Sequence, residues 1–193
     1  MPSPEPAATD QELIAALNAG DTAAFEAMYL RHRDWVTQMA LRITGDRDAA
    51  FTVLQETFTY FAGKFPGFEL ICQFRSFLYP VVKNLAFMEC RRAMRVNRLQ
   101  EQLENVAPPE TIPAPPFGDT LTILLEVLPA DQREVVVLRF VEDFDIKDIA
   151  VALEIPEGTV KSRLHHALRL LRTSPRTRHC FPDQTVRLSD HTQ

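Results

Sequence analysis

The residues best suited to chemistry lie between Lys161 and Arg172. Lys161, Ser162, Arg163, His165, His166, Arg169 and Arg172 recur there, and no acid occurs from Gly158 to Arg172. Lys and Arg neutralise phosphate and release counterions, while a hydroxyl or an imidazole can hydrogen-bond to a base edge. Val160, Leu164, Ala167, Leu168 and Leu171 alternate with them at spacings of three and four, the spacing of one buried helix face. Just upstream, Ile146, Ile149, Ala150 and Leu153 give a shorter helix its buried side, with the small Ala150 suited to a helix crossing. Pro156 and Gly158 are read as forcing a sharp turn between the two. The pattern is that of a helix-turn-helix whose second helix turns a polar, cationic face to the DNA major groove. A solvated amphipathic helix would show the same periodicity. The turn chemistry and the acid-free face favour DNA binding.

A second cluster lies in the N-terminal half. Gln55 and Glu56 stand beside Phe58 on a helical stretch, a polar pair with an aromatic that suits a helix-on-helix interface. Lys83, Arg91, Arg92, Arg95 and Arg98 form a basic run opposed by Glu89 alone, with Asn84 inside it. Phe65, Phe68, Phe74 and Phe77 surround a segment containing Pro66 and Gly67. Phe74 and Phe77 read as core, whereas Phe68, in a loop, is expected to be exposed. The net charge of −5 argues against a uniformly basic nucleic-acid binder, but local fields decide recognition of a polyanion.

These clusters must be carried by helices. A short helix is expected from Gln11 to Ala19, then a long one capped by Asp21, with Phe25, Met28, Val36, Met39 and Ile43 on one face, stopped by Gly45. Asp46 starts a third helix running to about Ala62. A loop over 64–73 leads to a fourth helix, about Phe74 to Val96, with Phe77, Val81, Leu85 and Met88 along one side. Pro80 within it is expected to kink the helix or mark a late start. Periodicity then gives way to Pro and acid over 99–120, which reads as a linker. Four shorter helices follow, at about 120–128, 131–141, 145–154 and 157–172. Asp131 with Glu134 suggests a capping box, and Asp145 a cap. No strand signal appears. The fold class is therefore all-α: two small helical domains, 10–98 and 121–173, joined by a flexible linker at 99–120. A disordered N-terminus (1–9) and a flexible tail (174–193) complete the expected organisation.

Other chemistry finds little support. No phosphate-binding glycine loop, dinucleotide fingerprint or nucleophile motif is present, so no catalytic residue and no cofactor are expected. His165, His166, His179 and Cys180 could suggest a metal, but adjacent His side chains diverge around a helix, and no metal site is expected. Three widely separated Cys (Cys72, Cys90, Cys180) fit a reducing compartment. With no signal peptide and no run of about 18 apolar residues, the chain is expected to be cytoplasmic, without membrane insertion.

The segments LPADQREVVVLRF and DIKDIAVALEIPEGTVKSRLHHALRLLR closely resemble region 4 of the extracytoplasmic-function (ECF) RNA polymerase sigma factors, of the sigma-70 family. AFEAMYLRHRDWV, ALRITGDRDAA, LQETF and FRSFLYPVVKNLAFMECRR resemble their region 2. The resemblance spans roughly 10–172. It implies a helical-bundle region 2 and a helix-turn-helix region 4, with no enzyme activity. It also implies a transcription initiation factor that binds core RNA polymerase, at the β′ clamp helices and the β flap, and directs it to promoter DNA. Gln55, Glu56 and Phe58 match the segment that docks on the clamp helices. The 64–73 loop matches the one that captures a flipped −10 base, with Phe68, Asn84, Arg91 and Arg92 as −10 contacts. Lys161, Ser162, Arg163, His165, His166 and Arg169 match the −35-reading helix, and the linker matches a segment that threads toward the polymerase active centre. An anti-sigma factor is a possible further partner. The chain departs from the pattern at Phe51 and Thr52, where an acidic pair is frequent, at Ala62 and Phe77, where Trp is common, and at His166, where Arg is frequent. The rival reading is a conventional helix-turn-helix regulator that acts without being a polymerase subunit.

Overall fold

Gly45 and Asp46 divide two helices as their chemistry requires. Gly45 adopts φ 67, the left-handed geometry that ends a helix, and its N–H returns to the Leu41 carbonyl. The Asp46 carboxylate then accepts the N–H of Ala49 at 2.7 Å, capping the next helix. In a computed structural model describing residues 8–104, 119–177 and 180, the helices are α1 (Asp10–Asn18), α2 (Ala23–Thr44), α3 (Arg47–Ala62), α4 (Phe74–Glu104), α5 (Asp119–Glu126), α6 (Ala130–Phe140), α7 (Ile146–Leu153) and α8 (Glu157–Thr173). Among the described residues there is no strand, and the fold is all-α. The chain divides into two units, the first carrying α1 to α4 together with residues 150–154 and the second α5, α6, α8 and the start of α7.

In the first unit α2, α3 and α4 pack against one another and α1 lies on α2. Met28 and Val36 of α2, Val53 and Phe61 of α3, and Phe74, Leu78 and Val82 of α4 are fully buried or nearly so. Each such side chain contributes about 1.5–3 kcal/mol by leaving water. The buried row of α4, Phe74–Leu78–Val82–Ala86, runs one residue out of register with the expected row. Phe77, Val81 and Leu85 are half-buried, and Met88 is 61% exposed. Both rows have helical spacing, so periodicity alone could not choose between them. Pro80 neither delays nor ends α4: Phe74 to Tyr79 are already helical ahead of it. The helix also runs past Val96 to Glu104, into the segment read as linker. Residues 97–104 contain neither Gly nor Pro and are mostly good helix formers, a signal outweighed in the sequence reading by the loss of apolar periodicity.

Order begins earlier than Gln11. Thr9 and Glu12 form a reciprocal capping box at the start of α1, and the Ala8 carbonyl accepts from Arg31. Asp21 acts just outside α2, accepting the Ala23 N–H at 2.9 Å, while Thr22 occupies the cap position.

In the second unit α6 packs on α8. The capping box expected of Asp131 and Glu134 is not formed: α6 starts at Ala130 behind Pro129, with no side-chain cap. Asp145 does cap α7, accepting the Asp148 N–H at 2.8 Å. The reversal between α7 and α8 is made by Glu154, at φ 54, and not by Gly158, which lies inside the first turn of α8. Beyond α8, Thr177 is buried and donates its hydroxyl to the Leu171 carbonyl at 2.6 Å, so the packed chain extends past the expected end at 173. The remaining parts of the linker and tail, and residues 1–7, lie outside the described residues.

Candidate functional site

The two faces of α8 are separated cleanly. Val160, Leu164, Ala167 and Leu171 are buried, which fixes the helix and leaves Lys161, Ser162, His165, His166, Arg169 and Arg172 exposed on the other side. Lys161 Nζ lies 3.8 Å from Glu157 one turn earlier, a loose pair that a phosphate can displace. Arg169 Nη2 lies 3.3 Å from His166 Nδ1, and the two imidazoles of His165 and His166 meet edge-on with centroids 5.8 Å apart. Arg163 stands apart from this row. It is half-buried, and its Nε lies 3.3 Å from the Asp131 carboxylate at the start of α6. Among the described residues no group of three or more His, Cys, Asp or Glu is placed to hold a metal; His179 lies outside them.

On α3, Gln55 and Glu56 are exposed as expected, but Phe58 is not. Its ring is 4% exposed, packed by Tyr29 at 4.9 Å, Phe25 at 6.2 Å and Phe61 at 6.5 Å between centroids. The assignment of Phe58 to a contact surface is therefore corrected: Phe58 is core, because its position on the helix faces α2. The exposed aromatics near the polar pair are Phe51 (54%), one turn before Gln55, and Tyr60 (42%), one turn after Glu56. Sequence reasoning missed both as contact candidates. Continuing the helical spacing of four from Gln55 and Glu56 would have found them.

The loop from Gly63 to Gln73 carries the aromatic cluster. Phe68 is half-buried rather than free in solvent, with its ring 4.7 Å from Phe77, 5.8 Å from Phe65 and 5.9 Å from Phe61. A loop ring escapes exposure here because three neighbouring aromatics offer it edge and tilted contacts. Ile71 is instead the loop's exposed apolar residue, at 78%. The Asn18 side chain holds the loop from α1. Its Oδ1 accepts the N–H of Gly67 at 2.7 Å and of Phe68 at 3.1 Å, and its Nδ2 donates to the Phe68 carbonyl at 2.8 Å. A cleft of ≈ 270 Å³ opens between α1 and the loop, lined by Gln11, Ile14, Asn18, Phe68, Glu69 and Leu70 among others. On α4, Asn84, Arg91 and Arg92 are exposed, Arg92 lying 3.8 Å from Glu89. Phe87 and Met88, also exposed, lie between Asn84 and the two arginines on the same helix face; the sequence reading puts Met88 on the apolar side of the helix and gives Phe87 no role.

Two helical units carry these faces, one a basic helix-turn-helix and the other an exposed polar pair with a basic helix, the layout of a protein that recognises DNA and a protein partner together. Residues 28–96 match the family Sigma-70 region 2, and residues 120–171 match Sigma-70, region 4. The chain is 31% identical over 166 residues to the ECF RNA polymerase sigma factor SigL of Mycobacterium tuberculosis, covering 82% of this chain and 93% of that one. It is 24% identical to the ECF RNA polymerase sigma factor SigW of Bacillus subtilis, covering 82% and 92%. Among solved structures, the fold is similar to that of CnrH in complex with the cytosolic domain of CnrY (TM-score 0.58, 21% identity, 83% and 93% of the two chains). It is also similar to the sigma factor RpoE in complex with the anti-sigma factor NepR from Bartonella quintana (TM-score 0.52, 23% identity, 77% and 94%). The chain belongs to the ECF RNA polymerase sigma factors. It is a promoter-specificity factor that works with RNA polymerase, and the stand-alone regulator is not favoured. Sigma factors as a class are non-catalytic initiation factors. Among the described residues no helix is long and apolar enough to cross a membrane.

Proposed function

We propose that this sigma factor reads the −35 element with α8 and the −10 element with α4 and the 63–73 loop, while α3 holds the polymerase. The observation that carries this reading is the division of α8: four buried apolar residues fix the helix and present Lys161, Ser162, His165, His166 and Arg169 on one exposed face. Ser162 and His165, near the helix N-terminus, are placed to read base edges, and Lys161 and Arg169 to grip phosphate. In the first unit, Asn84, Arg91 and Arg92 track the −10 strand. Phe87, Met88 and Ile71 add exposed apolar surface against which unstacked bases can lie. The cleft between α1 and the loop, apolar at Ile14 and Leu70 and polar at Gln11 and Glu69, is the place for an extruded base. Gln55 and Glu56, flanked by Phe51 and Tyr60, meet the β′ clamp helices, and the second unit meets the β flap.

Region 2 is assigned to 10–98 and region 4 to 121–173, although α4 runs on to Glu104, α5 begins at Asp119 and the packed chain reaches Thr177. The acidic segment between them threads toward the active centre. The chain itself catalyses nothing and acts in the cytoplasm, where polymerase and chromosome meet. An anti-sigma factor is its regulatory partner; both solved structures of similar fold hold a second protein, named as an anti-sigma factor for RpoE. The test is initiation by sigma-free core polymerase supplemented with the purified chain. Specific transcripts from defined start sites are expected. DNA binding without any gain of initiation would overturn the reading and favour the stand-alone regulator.

A further inference from the structure

At its start the 63–73 loop is tied to the end of α3. Gly63 returns its N–H to Thr59, Lys64 to Phe61 and Phe65 to Ala62, all at the end of α3. At Gly67 and Phe68 the main chain bonds to Asn18, about fifty positions away in sequence. Gly67 has φ 95, and the consecutive N–H groups of Gly67 and Phe68 converge on one Asn18 oxygen while the Phe68 carbonyl takes the amide N–H of the same side chain. Two converging donors and an adjacent acceptor can be met together only by a group with an acceptor at one end and a donor at the other, which a carboxamide is. The far end of α1 is fixed independently, by Asp10 against Arg31 at 2.6 Å and His32 at 3.0 Å. A helix anchored at its start therefore carries, at its last residue, the side chain that sets the loop's shape.

We infer that Asn18 is a positioning residue for promoter opening: it lines the cleft, but its carboxamide is engaged by the Gly67 and Phe68 main chain and holds the 63–73 loop in the conformation that receives the −10 strand. The inference rests on the assignment of this loop to the −10 element. It extends it by giving α1 a function, since α1 lies ahead of the matched region 2 segment. Pre-organisation is the physical gain. A loop already shaped for the extruded base avoids the ordering cost at the moment of capture, so removing the anchor weakens capture through the shape of the loop.

The experiment uses the full chain bound to core polymerase. Its probes are single-stranded −10 oligonucleotides selected from a randomised pool by the wild-type complex, with each base then varied. Ala is a better helix residue than Asn, so Asn18→Ala should keep α1 intact. It is expected to speed hydrogen exchange at the Gly67 and Phe68 amides and to weaken oligonucleotide binding roughly tenfold, with lost discrimination at one base position and unchanged affinity for core. Asn18→Asp keeps the acceptor for both amides but sets an oxygen against the Phe68 carbonyl, so it should fall between the two. Wild-type oligonucleotide affinity and base preference in Asn18→Ala overturn the inference, as does an equal loss of core affinity. The double variant Glu69→Ala/Ile71→Ser, which alters the loop's exposed side chains, separates the two levels. If it weakens oligonucleotide binding and Asn18→Ala does not, the positioning role alone fails. If neither variant changes binding, the loop does not receive the strand, and the −10 assignment fails with it.

Discussion

Arg163 on α8 reaches Asp131 at the start of α6, Nε to Oδ2 at 3.3 Å, while its neighbours Lys161 and Arg169 remain exposed. The pair is partly solvated, worth about 1 kcal/mol at most to stability. Its larger effect is on where the guanidinium sits. Lys161→Ala and Arg169→Ala should each shallow the salt dependence of promoter binding by about one unit of slope, and Arg163→Ala by clearly less. Asp131→Asn should release Arg163 and strengthen binding to all sequences alike. Affinities of the polymerase-bound variants at several salt concentrations measure this; equal slopes for the three Ala variants would show that Arg163 leaves Asp131 for phosphate.

Base reading should separate from grip. Ser162→Ala and His165→Ala are expected to cost about 1–3 kcal/mol on the preferred −35 sequence and little on its point mutants. A panel of −35 variants titrated with each protein decides the matter. Uniform losses across the panel would place both side chains on the backbone instead.

Contact and core should also part on α3. Gln55→Ala with Glu56→Lys should abolish co-purification with core polymerase while leaving helical circular dichroism and thermal stability intact, because both side chains are exposed. Phe51→Ala should weaken the same binding at little cost in stability. Phe58→Ala should instead destabilise the fold by about 3–5 kcal/mol, the cost of emptying a packed aromatic site. Retained core binding in the Gln55/Glu56 variant would remove this face from the interface.

Acid should loosen α1 before the rest of its unit. Partial burial pushes the Asp10 carboxyl up, but hydrogen bonds from His32 and Arg31 outweigh it and hold the group below its ordinary 3.8. A carboxyl lowered on folding stabilises the native state above its unfolded value, and this stabilisation is lost as pH falls through the lowered value. Amide exchange in α1, followed from about pH 5 to pH 2, should accelerate relative to α2 in wild type, by about 1 kcal/mol or less. In Asp10→Asn that relative change should shrink to the part that comes from the Glu12 carboxylate of the capping box, which the Thr9 hydrogen bonds also hold below its ordinary value. An unchanged wild-type profile would mean that the Asp10 pairs do not hold α1.

The sequence by itself determined what local chemistry controls. Gly45, Asp46 and Asp145 mark helix ends because a left-handed residue or a capping carboxylate acts within a few positions of itself. The split of α8 was legible because buried and exposed residues alternate at one helical period, and the motifs of both halves identified the family. Tertiary structure decided whatever depended on a distant partner. On α4, Phe74–Leu78–Val82–Ala86 and Phe77–Val81–Leu85–Met88 are equally periodic, and only packing against α2 and α3 chose the first row. On α3 the same packing turned Phe58 inward and left Phe51 outside, although both are phenylalanines on one helix. Asn18 and the loop it holds could not be paired from sequence at all. Helical periodicity reports only which face of an element is apolar, and a hydrogen bond spanning about fifty residues leaves no local trace.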